Sequence, residues 1–121
     1  FLYFEETEYC KRALSKGLKS YQTNKIKVKR NGRSVLVKNK KEKNRLDNIC
    51  IWHFIWSKYY YTKKHYGIII SLIIFFPILV RILFKIIYHS VIQNKSIKEK
   101  YQYRLSGLIT AIRGKKSSLR F

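Results

Sequence analysis

The feature that most restricts how this chain can fold is an uncharged run, Tyr66 to Val80 (YGIIISLIIFFPILV), set in a sequence of formal net charge +21. Such a run has to be removed from water by protein or by lipid, since burial of apolar surface is the dominant favourable term in either case. With 121 residues, the chain can build only a modest core of its own. The charge comes from 27 Lys and Arg against 6 Asp and Glu, and an imbalance of that size calls for an anionic partner, lipid surface or nucleic acid. Abundant Lys, Ile, Asn and Tyr is also what AT-rich coding sequence yields, so genome composition is a competing source of the basicity.

Beyond Pro77, where a kink is expected, Arg81, Lys85, His89 and Gln93 recur every fourth residue, with aliphatic residues between them. A polar stripe of this kind suits a helix lying in a membrane interface with its apolar side down. From Gly67 to Ile87 a helix would also measure about 31 Å, enough to cross a bilayer, although Arg81 and Lys85 would then have to snorkel. Lys58, Lys63 and Lys64 before the run are balanced by Lys95, Lys98 and Lys100 after it. That symmetry favours entry and exit by one face over a full span.

Five segments follow from composition. Residues 1–37 hold a short apolar strand (Phe1 to Phe4), a helix from about Glu6 to Lys16 with Gly17 at its C′ position, and two short strands over Leu18 to Thr23 and Lys25 to Arg30. Asn31-Gly32 is a turn signal, and Ser34 to Val37 offers a further strand. Residues 38–43 are a basic linker. Residues 44–65 show helical spacing through Leu46, Ile49, Trp52 or His53, Trp56 and Tyr60, an aromatic face suited either to a core or to the headgroup level of a bilayer. Residues 66–93 contain the apolar run. Residues 94–121 form a basic amphipathic helix and tail, with Leu105, Leu108, Ile109 and Ile112 on one face and Gly114 as its C′ residue, fit to dock on a core or on a membrane. The residues expected at the membrane are Trp52, Trp56, Tyr60, Ile69, Leu72, Phe75, Phe76, Arg81 and Lys85.

Cys10 and Cys50 read as reduced, structural thiols, and His53, His65 and His89 match no zinc spacing. The chain starts at Phe1 and contains no methionine, and FLYFEETEYC reads as mid-domain sequence, so a fragment of a longer protein is expected. Glu5, Glu6 and Glu8 are half of all the carboxylates. Crowded carboxylates raise one another's pKa, as a general base requires, whereas a helix N-terminus lowers it. Composition does not choose between a base and an acid-rich first turn that satisfies the helix dipole.

The run FLYFEETEYCKRALSKGLKSY resembles the acidic motif near the end of the catalytic domain in family 2 glycosyltransferases of the GT-A type. There an aromatic strand leads into Glu-Asp-x-Asp and a helix carrying an arginine. WHFIWSKYYYTKKHYG and RLSGLITAIRGKKSS are similar to the membrane-associated extension of bacterial members acting in surface-polysaccharide synthesis. The resemblance implies an α+β fold, mainly α, in which a strand and helix remnant of the α/β domain precedes membrane-associated helices. It implies Glu6 as the base, with Glu5, Glu8 and Arg12 completing the catalytic set. It further implies a nucleotide-sugar donor bound through an N-terminal half, a lipid-linked or glycan acceptor, and Mg or Mn in the full-length enzyme only. No cofactor or metal is expected on this fragment. The location implied is the cytoplasmic face of a bacterial inner membrane. A non-enzymatic basic protein binding anionic membrane or nucleic acid is the alternative, with nucleic acid disfavoured by the long aliphatic run.

Overall fold

The computed structural model describes residues 3–21, 23–27, 29, 39–117 and 119. These form three helices, α1 (Glu5–Ser15), α2 (Lys40–Val91) and α3 (Lys95–Ile112). Their ends follow local rules. Asn39 caps α2 by accepting from the Lys41 amide at 3.0 Å, and Asn94 caps α3 by accepting from the Ile97 amide at 3.3 Å. Gly17 and Gly114 follow α1 and α3 with positive φ, as the sequence suggests.

The element that shapes the molecule is the break inside α2. Gly67 has φ 84° and ψ 172°, a region of backbone space that is essentially confined to glycine. The helix stops there and a second one begins, giving a first arm (residues 40–66) and a second arm (residues 68–91). Ser71 ties down the new start by donating to the Gly67 carbonyl at 2.7 Å. On an unbroken helix Tyr59 and Phe75 would lie about 24 Å apart, yet their ring centroids are 5.1 Å apart. The arms therefore run back along each other as a hairpin. The backbone keeps helical geometry through Pro77, whose side is exposed, so the non-helical residue inside α2 is Gly67.

A second turn, with Gln93 left-handed at φ 58°, returns the chain as α3, which lies beside both arms. The three segments share one core: Trp52, Ile55, Trp56 and Tyr59 from the first arm, Phe75 and Ile82 from the second, Leu108 and Ala111 from α3. Tyr59 and Leu108 are wholly buried, and each such side chain contributes about 1.5 to 3 kcal/mol of apolar burial. α3 approaches closely at Gly107, where an added Cβ would stand 2.7 Å from both the Trp52 carbonyl oxygen and Ile55 Cγ2.

No strand occurs among the described residues, and this corrects the α+β assignment with its strand remnant. Tyr3 and Phe4 form a bend, and residues 18–21 and 23–27 are irregular. Among the described residues of the two expected strands, Leu18, Tyr21 and Ile26 are all exposed, and an isolated pair of short strands is marginal in water. The turn at Asn31-Gly32 and the strand at Ser34 to Val37 fall outside the described residues, as do Phe1 and Leu2.

Two substitutions test this architecture. Gly67→Ala finds open space around the new methyl group but must hold a backbone conformation costing about 1 to 3 kcal/mol, and urea unfolding should show a loss of that size. Gly107→Ala should destabilise by a similar about 1 to 3 kcal/mol through overpacking against fixed backbone, and an unchanged midpoint would contradict the close approach of α3.

Candidate membrane-binding surface

The second arm of α2 uses only one of its faces in the bundle. Ser71, Phe75 and Ile82 are buried, with Ile78, Leu79 and Ile86 packed beside them. The opposite face is aliphatic and aromatic and, among the described residues, stays uncovered: Ile69 is 72% exposed, Ile73 68%, Phe76 67% and Phe84 65%, with Leu72, Val80 and Ile87 filling the spaces between. A contiguous uncovered patch along a whole helix marks an interaction surface. α2 is also long and apolar enough to cross a membrane by length and composition.

Of the residues expected to meet a bilayer, Ile69, Leu72 and Phe76 lie on this face, while Trp52, Trp56 and Phe75 are buried in the core. Both indoles bond to protein, Trp52 donating to Ser106 Oγ at 3.3 Å and Trp56 to the Lys115 carbonyl at 3.2 Å. Tyr60 is partly exposed and stacks on Trp56 at 5.1 Å. Arg81 stands at the margin of the apolar face, roughly a third of a turn from its centre line, whereas Lys85 lies further round, toward the face packed in the bundle; the Lys85 ammonium lies 5.8 Å from the Tyr88 ring centroid. The C-terminal tail crosses the first arm at His53, which is buried. Its Nε2 is 2.9 Å from the Leu119 carbonyl and its Nδ1 2.9 Å from Ser117 Oγ. Neither this strap nor the core role of the tryptophans is visible in local spacing, because both depend on a partner more than fifty residues away in sequence.

The acidic head is placed by α1. Glu5, Glu6, Glu8 and Arg12 share an open cavity with Tyr9, Cys10, Tyr60 and Lys64. Glu5 and Glu6 are exposed in the first turn, and Glu8 accepts from Lys64 of the first arm and pairs with Arg12 at 3.5 Å. Around it, Lys11 sits over the Tyr66 ring at 3.9 Å, and Phe4 lies 5.6 Å from both Phe54 and Tyr61. Glu8 thus fastens α1 to α2. The hydrogen bond from Lys64, helped by Arg12, Lys64 and His65 charge, holds its carboxyl below the ordinary range. Burial, with the Lys11 and Lys64 charges, holds His65 below its usual value. Both shifts are downward, so the folded state binds fewer protons than the unfolded chain, and their contribution is present at neutral pH and lost on acidification. Docking of α1 should hold steady near neutrality, weaken as pH falls below about 6.5, and weaken further below about 4.3. Amide chemical shifts of α1 followed through a pH titration would show the two steps, and Glu8→Gln should erase the lower one.

Cys10 and Cys50 are free thiols, and no group of His, Cys, Asp or Glu among the described residues could hold a metal ion. The sequence matches no family model, and neither a curated protein nor a solved structure matches it. The family 2 glycosyltransferase assignment, its enzymatic activity and its nucleotide-sugar and glycan partners are therefore corrected. The chain is all-helical among its described residues, without the strands of an α/β catalytic domain or a metal cluster beside the glutamates.

Proposed function

We propose that this chain is a non-enzymatic, basic helical protein that attaches to anionic membrane surfaces through the uncovered face of the second arm of α2. The observation that carries this reading is the face itself, apolar from Ile69 to Ile87 and exposed among the described residues of the three-helix bundle. Charge supports it. A net +21 favours an anionic bilayer, since each Lys or Arg near such a surface contributes about 1 kcal/mol. Interfacial attachment suits the fold better than a span. The other face of the arm is packed against the first arm and α3, which carry Lys58, Lys63, Lys64, Lys100 and Arg104, and crossing with the bundle intact would drag these charges into hydrocarbon. Lying down, the arm sinks only its apolar side and leaves Arg81 at headgroup level with Lys85 above it, toward the bundle.

Ile73→Asp combined with Phe76→Asp tests the surface directly. Both positions are exposed, so helicity and unfolding midpoint should hold. Partitioning onto vesicles of phosphatidylcholine with phosphatidylglycerol should fall at least tenfold, as the loss of two buried apolar side chains at about 1.5 to 3 kcal/mol each requires. Unchanged partitioning would refute the assignment of this face, and so would a wild-type dimer in sedimentation that the double substitution dissociates, because the face would then belong to a second copy.

A further inference from the structure

A second feature of the bundle is electrostatic. One cleft of about 640 Å³ opens between the two arms of α2 and α3. Its basic residues come from all three segments: Lys58 from the first arm, Arg81 from the second, and Lys100 and Arg104 from α3, with Asp47 the one carboxylate among the described residues of the lining. Four cations to one carboxylate leave a strong excess of positive charge in a concave space with apolar walls. Low-polarity walls focus such a field and raise the local concentration of anions. The walls include Ile55, Ile78 and Ile82, two of which belong to the shared core. The Tyr101 ring lies 5.1 Å from the Arg104 guanidinium carbon, a cation–π contact on the cleft wall.

Arg81 joins this cleft to the apolar face, since it lines the one and borders the other. A ligand held here has its anionic group among the four cations and its hydrocarbon directed toward Val80 and Phe84, which are exposed next to Arg81 in the helix. Resting on the membrane attachment proposed above, we infer that the cleft binds the phosphate of a phosphomonoester lipid headgroup. The double negative charge of a monoester suits a cleft lined by four cations better than the single charge of a diester does, and guanidinium recognises its oxygens bidentately. A bound headgroup would cross-link the hairpin to α3 and so couple lipid identity to the stability of the bundle.

The experiment compares the full chain on phosphatidylcholine vesicles containing either phosphatidic acid or phosphatidylglycerol, adjusted to equal surface potential. Wild type should bind the phosphatidic acid vesicles about tenfold more tightly. Lys100→Gln with Arg104→Gln should reduce that preference to less than twofold, whereas the charge-matched Lys40→Gln with Lys41→Gln, on the exposed start of α2, should preserve it. Equal binding to both lipids overturns the cleft and leaves the apolar surface standing. Absence of binding to either vesicle overturns the surface and this inference with it. Glycerol phosphate free in solution, if it occupies the cleft as tightly as the lipid does, overturns the lipid assignment in favour of a soluble phosphate ester.

Discussion

The backbone at Gly67 is the constraint on which the rest of the molecule depends. Without it, Lys40 to Val91 would be one rod roughly 78 Å long, its aromatic half and its aliphatic half pointing away from each other. Reversal at a conformation open only to glycine brings the halves together, and Tyr59 meets Phe75 edge to face. α3 then completes the enclosure by its close approach at Gly107. The core is small, as expected for a chain of this size, and it draws most of its aromatic surface from the first arm.

The same reversal decides what is left uncovered. A helix that packs on two neighbours satisfies about half of its circumference, and the second arm is apolar almost all the way round over its first half. Its surplus face therefore meets no other helix among the described residues, whereas the first arm and α3 turn lysine and arginine outward. The molecule is consequently one-sided, with an apolar ridge, basic flanks and a basic cleft at the margin between them. α1 lies apart from this division, attached to the first arm by Glu8, Lys11 and ring contacts.

Local signals in the sequence mark the C-terminal ends of α1 and α3 but not the start of α2, which begins at Lys40 inside the expected basic linker, and they say little of what the helices touch. Gly17 and Gly114 close α1 and α3 as their positions suggest, and the spacing of Ile49, Trp52 and Trp56 correctly implies a helix. Spacing could not say whether that aromatic face met lipid or protein, because the answer lies in Gly107 and Ser106, more than fifty residues on. The alternation over Lys25 to Arg30 looked like strand and is irregular where described, since alternation stabilises a strand only when a partner and a core are present. Pro77 is the residue that predicts a kink, whereas the departure from helical backbone lies at Gly67, at the border between the aromatic and aliphatic halves. The likeness of the acidic head to a transferase motif rested on residue types; in the fold those carboxylates begin a surface helix, and Glu8 serves as its fastening.

The most direct test of this account is a spin-label distance between Phe54→Cys and Val80→Cys, one on each arm, with Cys10 and Cys50 replaced by serine and the protein bound to anionic vesicles. A hairpin places the two labels within about 20 Å of each other, whereas continuous helix holds them about 39 Å apart. A single short distance would show that the reversal at Gly67 persists while the second arm rests on lipid. A distribution centred near the long distance would contradict it, showing that α2 straightens on the bilayer and that the bundle is not the membrane-bound form.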